Sequence, residues 1–83
     1  MPIESMAKRT VLISNRSNAQ VHLIVEPVAD TYKLDAGEGL ALSFDEGENA
    51  PAIEVEYYAT GDIGVWTHAK TQAYKSDVLV APV

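Results

Sequence analysis

One stretch carries the clearest pattern in the chain: Ile53-Glu54-Val55-Glu56-Tyr57-Tyr58-Ala59-Thr60-Gly61-Asp62-Ile63-Gly64-Val65-Trp66. Apolar and polar residues alternate over residues 53–58, and this period of two is typical of a half-buried β-strand. A second strand is predicted over residues 63–68, after the turn residues 59–62. The stretch therefore predicts a β-hairpin.

The two strands of this hairpin can share one apolar face only if their register is right, because a slip of one residue reverses every side chain. A three-residue loop over 59–61, with Gly61 in the left-handed conformation, gives that register. One face then carries Ile53, Val55, Tyr57, Ile63 and Val65. The opposite face carries Glu54, Glu56, Tyr58, Gly64, Trp66 and His68.

Working outward from the hairpin, turn residues recur about every 8–12 residues, as in a small β-sandwich or barrel. Strands are predicted over residues 10–14, 20–26, 31–34 and 40–44, with one or two short strands over 73–81. Lys75-Ser76-Asp77 is a possible turn in that last segment, and a short helix over 70–75 is the alternative. We predict an all-β fold, a small antiparallel sandwich or partly open barrel of six to seven strands.

The chain has 83 residues, enough for one domain. We expect a flexible N-terminal tail over residues 1–8 and a single β domain over residues 9–83. So small a domain has a narrow margin of stability and little room for a large internal cavity. The expected core consists of Val21, Leu23, Val25, Leu40, Leu42, Phe44, Ile53, Val55, Ile63 and Val65.

The net charge of the chain limits the kinds of partner that it can bind. The chain has six Lys and Arg residues and twelve Asp and Glu residues, so its formal net charge is −6. Phosphate backbones and anionic membranes repel such a surface, so we expect no nucleic-acid and no membrane partner. The acidity serves solubility in one interpretation, and attraction of a basic partner is the alternative. Because the chain has no cysteine, no secretory h-region and no apolar run that could span a membrane, we expect a cytoplasmic protein.

Catalytic and metal-binding patterns are weak. A triad of Ser43, His22 and Asp45 uses common residues that nothing singles out. His22 and His68 lack the spacing of paired metal ligands, and His22 fits a partly buried structural histidine. The acidic loop over residues 45–49 is expected to be a solvated turn. We predict no catalytic, cofactor-binding or metal-binding residues.

The aromatic residues on the second face of the hairpin form the candidate interaction surface: Trp66, Tyr58 and His68. Trp and Tyr cover much area with few rotatable bonds, so they often anchor partners. The alternative is that Trp66 fills a second buried layer. We expect a homodimer, with Trp66 or the neighbouring strand edge in its interface, because pairing would bury apolar area that a small domain leaves exposed.

Part of the chain resembles a group of small uncharacterised bacterial β-domain proteins with a Glu-Pro…Tyr-x-Leu…Gly-Glu pattern. The matching residues are Leu23-Ile24-Val25-Glu26-Pro27, Tyr32, Leu34 and Gly37-Glu38, with looser similarity over Ile63-Gly64-Val65-Trp66 and residues 74–79. Val28-Ala29 stands where that group has Trp-Gly, and Asp35-Ala36-Gly37 replaces its Pro-Gly turn. The resemblance implies a small β domain and brings no activity with it.

The sequence therefore favours a non-enzymatic protein-interaction or oligomerisation module, which binds itself or another protein. The alternative is a small-ligand-binding β domain that uses an aromatic surface or an interface groove. No cofactor is expected in either case.

Overall fold

The computed structural model describes residues 7–46 and 52–83, and these residues form eight β-strands and no helix. The strands are β1 (Ala7–Ser14), β2 (Val21–Glu26), β3 (Asp30–Leu34), β4 (Gly39–Glu46), β5 (Glu54–Tyr57), β6 (Ile63–Trp66), β7 (Thr71–Lys75) and β8 (Val78–Val80). The all-β class is confirmed, although the count is eight rather than six to seven. No helix that could span a membrane occurs in the described part of the chain.

The strands form two four-stranded sheets that pack as a sandwich. The first sheet has the order β1-β4-β7-β8, and the second has the order β3-β2-β6-β5. Every pair is antiparallel except β2 and β6, which run parallel with Leu23 opposite Ile63. This pairing differs from the antiparallel expectation, because the chain leaves the second sheet after β3 and re-enters it at β5. The pairing of β2 with β6 joins segments that are far apart in the sequence, so no local sequence pattern predicts it.

The core lies between the sheets, where alternate residues of each strand point inward. Its buried members are Leu23, Val25, Tyr32, Leu34, Leu40, Leu42, Val65 and Ala73, and Phe44 is also buried. Three expected core residues are only partly buried: Val21, Ile53 and Ile63. Tyr32, Leu34 and Ala73 were missing from the expected set, because their strands are short and carry polar neighbours.

Val55 was wrongly placed in the core, since 64% of its surface is exposed. Its face is as predicted: Val55 lies opposite Val65, and Tyr57 lies opposite Ile63. However, β5 is the outermost strand of the second sheet, so its inward-facing side chains lie at the rim of the sandwich. Tyr57 is even more exposed, at 80%.

The turn of this hairpin matches the sequence prediction. The N–H of Tyr58 donates to the carbonyl of Asp62 at 2.9 Å, and the N–H of Gly61 donates to the carbonyl of Tyr58 at 2.9 Å. The loop therefore comprises residues 59–61. Gly61 has φ +93°, which a glycine adopts without a steric penalty.

The C-terminal segment divides into β7 and β8 at Ser76-Asp77, so the predicted turn is confirmed and the alternative helix over 70–75 is wrong. Both turn residues have positive φ, +48° and +66°, as a two-residue hairpin turn of the I′ type requires. At the other end, the expected tail over residues 1–8 falls mostly outside the described residues, and β1 already includes Ala7 and Lys8.

Asn15 joins two turns of the fold and is one of the two buried polar residues among those described. Its side-chain amide donates to the carbonyls of Ala19, Leu34 and Asp35 at 2.8–3.1 Å. Its side-chain oxygen accepts from the backbone N–H and the hydroxyl of Ser17. The side chain of Asn15 is thus fully hydrogen-bonded in the interior.

Candidate interaction surface

Trp66 and Tyr58 both lie on the outer face of the second sheet, away from the core. Val65 points inward and is fully buried, so its neighbour Trp66 points outward, where it is half-buried. Trp66 is absent from the core cluster. The aromatic face predicted from the hairpin register therefore exists, and we call Tyr58, Trp66 and His68 the Trp66 face.

Tyr58 lies across Gly64, its diagonal neighbour on β6. A Cβ atom added at Gly64 would come within 2.9 Å of the Tyr58 ring carbons, which is closer than real contacts allow. Glycine at this position therefore lets the ring approach the backbone of β6, and an aromatic ring that covers a strand glycine supports the sheet.

Two carboxylates hold the Tyr58 hydroxyl in this position. The hydroxyl donates to Glu26 Oε2 at 3.1 Å and to Glu56 Oε1 at 3.2 Å. Glu56 Oε1 also accepts the indole N–H of Trp66 at 2.6 Å. The four side chains form one hydrogen-bonded cluster across β2, β5 and β6.

This cluster raises the pKa of Tyr58 to about 12, because desolvation and the hydrogen bonds to Glu26 and Glu56 all favour the neutral phenol. A phenolate at this position would lie beside two carboxylates. The phenol is therefore a hydrogen-bond donor throughout the physiological pH range.

His68 lies in the loop between β6 and β7 and is exposed. Its ring centroid is 5.9 Å from that of Trp66, with the two rings tilted by 34°. Two threonine hydroxyl groups stabilise this loop. The hydroxyl oxygens of Thr67 and Thr71 lie 2.8 Å apart. Both hydroxyl groups donate to the carbonyl of Ala69. Because Thr67 is buried, the loop is anchored in the sandwich while His68 projects from it.

A cleft opens beside His68, between this loop and the turn that joins β2 to β3. Its volume is about 750 Å³. The lining residues are Val25, Pro27, Val28, Asp30, His68, Ala69, Lys70 and Thr71. Val25 is buried at the inner side, whereas Val28 is 69% exposed at the rim. His68 belongs both to the cleft and to the Trp66 face, so the two form one continuous surface.

Two residues with strained backbone flank this cleft. Ala29 has φ +64° and His68 has φ +57°. Residues other than glycine rarely adopt such angles, and alanine has no polar side chain to compensate. Strained residues persist where the surrounding structure fixes them, and they concentrate at functional sites.

The other candidate residues do not assemble into a site. Ser43 and Asp45 lie on the outward side of β4 in the first sheet, whereas His22 lies on β2 in the second. His22 is half-buried, and its Nδ1 atom lies 3.5 Å from Asp62 Oδ1. The pKa of Asp62 is lowered, chiefly because its carboxylate accepts the backbone N–H of His22.

No group of three or more potential metal ligands occurs within residues 7–46 and 52–83. The acidic turn predicted over residues 45–49 lies mainly outside the described residues, with Asp45 at its start in β4. Lys8 Nζ lies 3.4 Å from Asp45 Oδ1.

Sequence reasoning missed the cleft and the two glutamates that hold Tyr58. One sequence feature points to the cleft in retrospect: Pro27-Val28-Ala29 places an apolar residue in a turn, where polar residues are usual. Glu26 gives no such indication, because its contact with Tyr58 depends on the parallel pairing of β2 with β6.

No family model, no curated protein and no solved structure matches the chain. The resemblance to small bacterial β-domain proteins stays a prediction. The function of the chain is therefore inferred from the geometry of this surface.

Proposed function

We propose that this chain is a non-enzymatic protein-interaction module that binds a segment of another protein across the Trp66 face and the adjoining cleft. The observation that carries the proposal is the continuity of the two features through His68. An apolar cleft next to half-exposed aromatic rings offers both an anchor pocket and a flat contact area, as interaction hot spots do.

The chemistry of the surface indicates a basic segment with an apolar side chain. Glu26 and Glu56 lie beside the aromatic rings of Tyr58 and Trp66. Carboxylates and ring faces both attract a Lys or Arg side chain. The cleft beyond His68 is lined by valine, proline and alanine side chains together with Asp30, Lys70 and Thr71, and its apolar part suits an aliphatic or aromatic residue. The formal net charge of −6 adds long-range attraction for such a partner.

A library of short random peptides displayed on phage tests this proposal. We expect selection on the wild-type protein to enrich peptides that combine Lys or Arg with an apolar residue. These peptides should bind Val28→Lys about tenfold more weakly or worse, because the new ammonium group at the cleft rim repels a basic peptide and must be desolvated on binding. Val78→Lys is the matched control, since Val78 is 63% exposed on β8 in the other sheet.

Two outcomes would contradict the proposal. Peptides that bind both variants like the wild type place the site elsewhere. Selection that yields acidic peptides, or none above background, rejects the partner chemistry.

The volume of the cleft supports a second candidate, a small-ligand-binding domain. Ligand pockets commonly have volumes of about 300–1,000 Å³, and this cleft falls in that range. Trp66 is the one tryptophan of the chain, and its ring centroid lies 5.9 Å from that of His68, which lines the cleft, so its fluorescence offers a probe of occupancy. Titration with individual members of a fragment library should change that fluorescence in the wild type and not in Val28→Lys if this function is correct.

A further inference from the structure

We propose that the outer edge of β1 pairs with the β1 edge of a second copy of this chain, antiparallel and about a two-fold axis near Val11. The two first sheets would then become one continuous eight-stranded sheet. This edge belongs to the first sheet, whereas the Trp66 face belongs to the second. Self-association and binding of another protein are therefore separate properties that can fail independently.

The four edge strands of the sandwich differ in how well they are protected against pairing with another strand. Strand β5 has four residues, of which Glu54 and Glu56 are acidic, and β8 has three residues. Strand β3 is partly covered, since the N–H of Val83 donates to the carbonyl of Thr31 at 2.7 Å. Strand β1 has eight residues and, within the described chain, pairs only with β4. Lys8 and Arg9 protect the start of β1, but residues 10–14 carry no charge and form the longest uncharged segment of the four described edge strands, so this part of β1 is the edge most suited to pairing.

The hydrogen-bonding pattern shows which residues of β1 face the open edge. The N–H of Asn15 donates to the carbonyl of Glu38 at 2.8 Å, which continues the register that places Ser14 opposite Gly39. In an antiparallel pair, bonded and non-bonded residues alternate. Val11 and Ile13 therefore direct their backbone groups to β4. The residues that direct their backbone N–H and C=O groups to the open edge are Lys8, Thr10, Leu12 and Ser14.

A two-fold axis at Val11 matches these groups. Thr10 then lies opposite the partner's Leu12, and Lys8 lies opposite the partner's Ser14, so each outward-facing residue meets another. The register also keeps like charges apart, because the basic residues of β1 meet uncharged residues of the partner. Val11 would contact the partner's Val11 on the inner side of the sheet.

The outer face of the first sheet provides apolar area for the same contact. The strand register aligns one residue from each strand in a row: Leu12, Ala41, Tyr74 and Leu79. Leu12 ends this row at the open edge with 77% of its surface exposed. Pairing at Val11 places Leu12 diagonally next to the partner's Leu12, which joins the two rows and removes both side chains from water.

Sedimentation velocity and amide hydrogen exchange together test the proposal. We expect the wild type to sediment as a dimer at high micromolar concentration. Leu12→Lys should sediment as a monomer, because it places two like charges next to each other at the axis. Leu79→Lys is the matched control, since it makes the same change at the far end of the same row and should stay dimeric. Trp66→Ala should also stay dimeric.

Amide exchange rates identify the interface strand, because the protection of the outward-facing amides depends on pairing with the second copy. In the wild-type dimer, we expect slow exchange at the outward-facing amides of Thr10, Leu12 and Ser14. In Leu12→Lys, residues 10 and 14 should exchange rapidly while Val11 and Ile13 remain protected by β4, which shows that the variant is folded. A monomeric wild type, a monomeric Trp66→Ala, or a dimer whose Thr10 and Ser14 amides exchange as fast as in Leu12→Lys would overturn the proposal.

Discussion

At the scale of single residues, two hydrogen-bonding centres organise this molecule. Tyr58 connects the end of β5 to β2 through Glu26, and Glu56, which also binds Tyr58, connects β5 to β6 by accepting the indole N–H of Trp66. Asn15 connects the β1–β2 turn to the β3–β4 turn at one end of the sandwich. Both side chains bind groups that are far away in sequence, so neither role could be predicted from a local pattern.

The pKa of Tyr58 gives the first prediction. Because its folded-state pKa of about 12 lies above the ordinary value of 10.0, its contribution to stability is complete below pH 10 and is lost as the pH rises toward 12. Titration of the phenolate absorbance should show a late step near pH 12 that loses the amplitude of one tyrosine in Tyr58→Phe, while Tyr32, whose pKa is also raised by burial, titrates late in both proteins. Gly64→Ala should move this step toward pH 10, because the added methyl group displaces the ring. A late step of unchanged amplitude in Tyr58→Phe would contradict the assignment.

Asn15 gives the second prediction. Asn15→Ala removes a buried amide and leaves carbonyls without their donor, so it should lower the free energy of unfolding by about 1–3 kcal/mol. Asn18→Ala, at an exposed position of the same turn, is the control and should have little effect. Urea denaturation of both variants measures the difference. Equal stability of the two would mean that the Asn15 bonds do not matter to the fold.

At the scale of elements, the turns were the features best predicted from sequence. The three-residue loop and the left-handed Gly61 could be predicted because the apolar residues of both strands must lie on the same face of the hairpin. The exposure of Val55 could not be predicted in this way, because alternation gives the face of a residue and not the position of its strand within the sheet. The parallel pairing of β2 with β6 was missed for a related reason, since it depends on sheet order.

The β7–β8 turn gives a prediction at this scale. Ser76 and Asp77 both have positive φ, where Asn and Gly are preferred. Ser76→Asn together with Asp77→Gly should therefore raise the free energy of unfolding by about 1 kcal/mol, by relief of the left-handed strain. Thermal denaturation measures the change. A lower melting temperature would show that the two native side chains contribute contacts that outweigh the strain.

At the scale of the whole molecule, one thin core holds two sheets together, and much apolar surface remains outside it. Leu42 is fully buried between the sheets, whereas Val55 lies at the rim. Leu42→Ala should thus lower the free energy of unfolding by about 2–5 kcal/mol. Val55→Ala should lower it by less than about 1 kcal/mol. Chemical denaturation that finds similar losses at both positions would contradict the placement of the core.

The central claim is that the Trp66 face and its cleft form the surface that binds another protein. An amide NMR titration of the wild-type chain with a phage-selected peptide tests this claim most directly. We predict that the largest shifts occur in the turn over residues 27–30 and in the loop over residues 67–70, which border the cleft. Largest shifts in β1, β4 or β7 of the first sheet would contradict it.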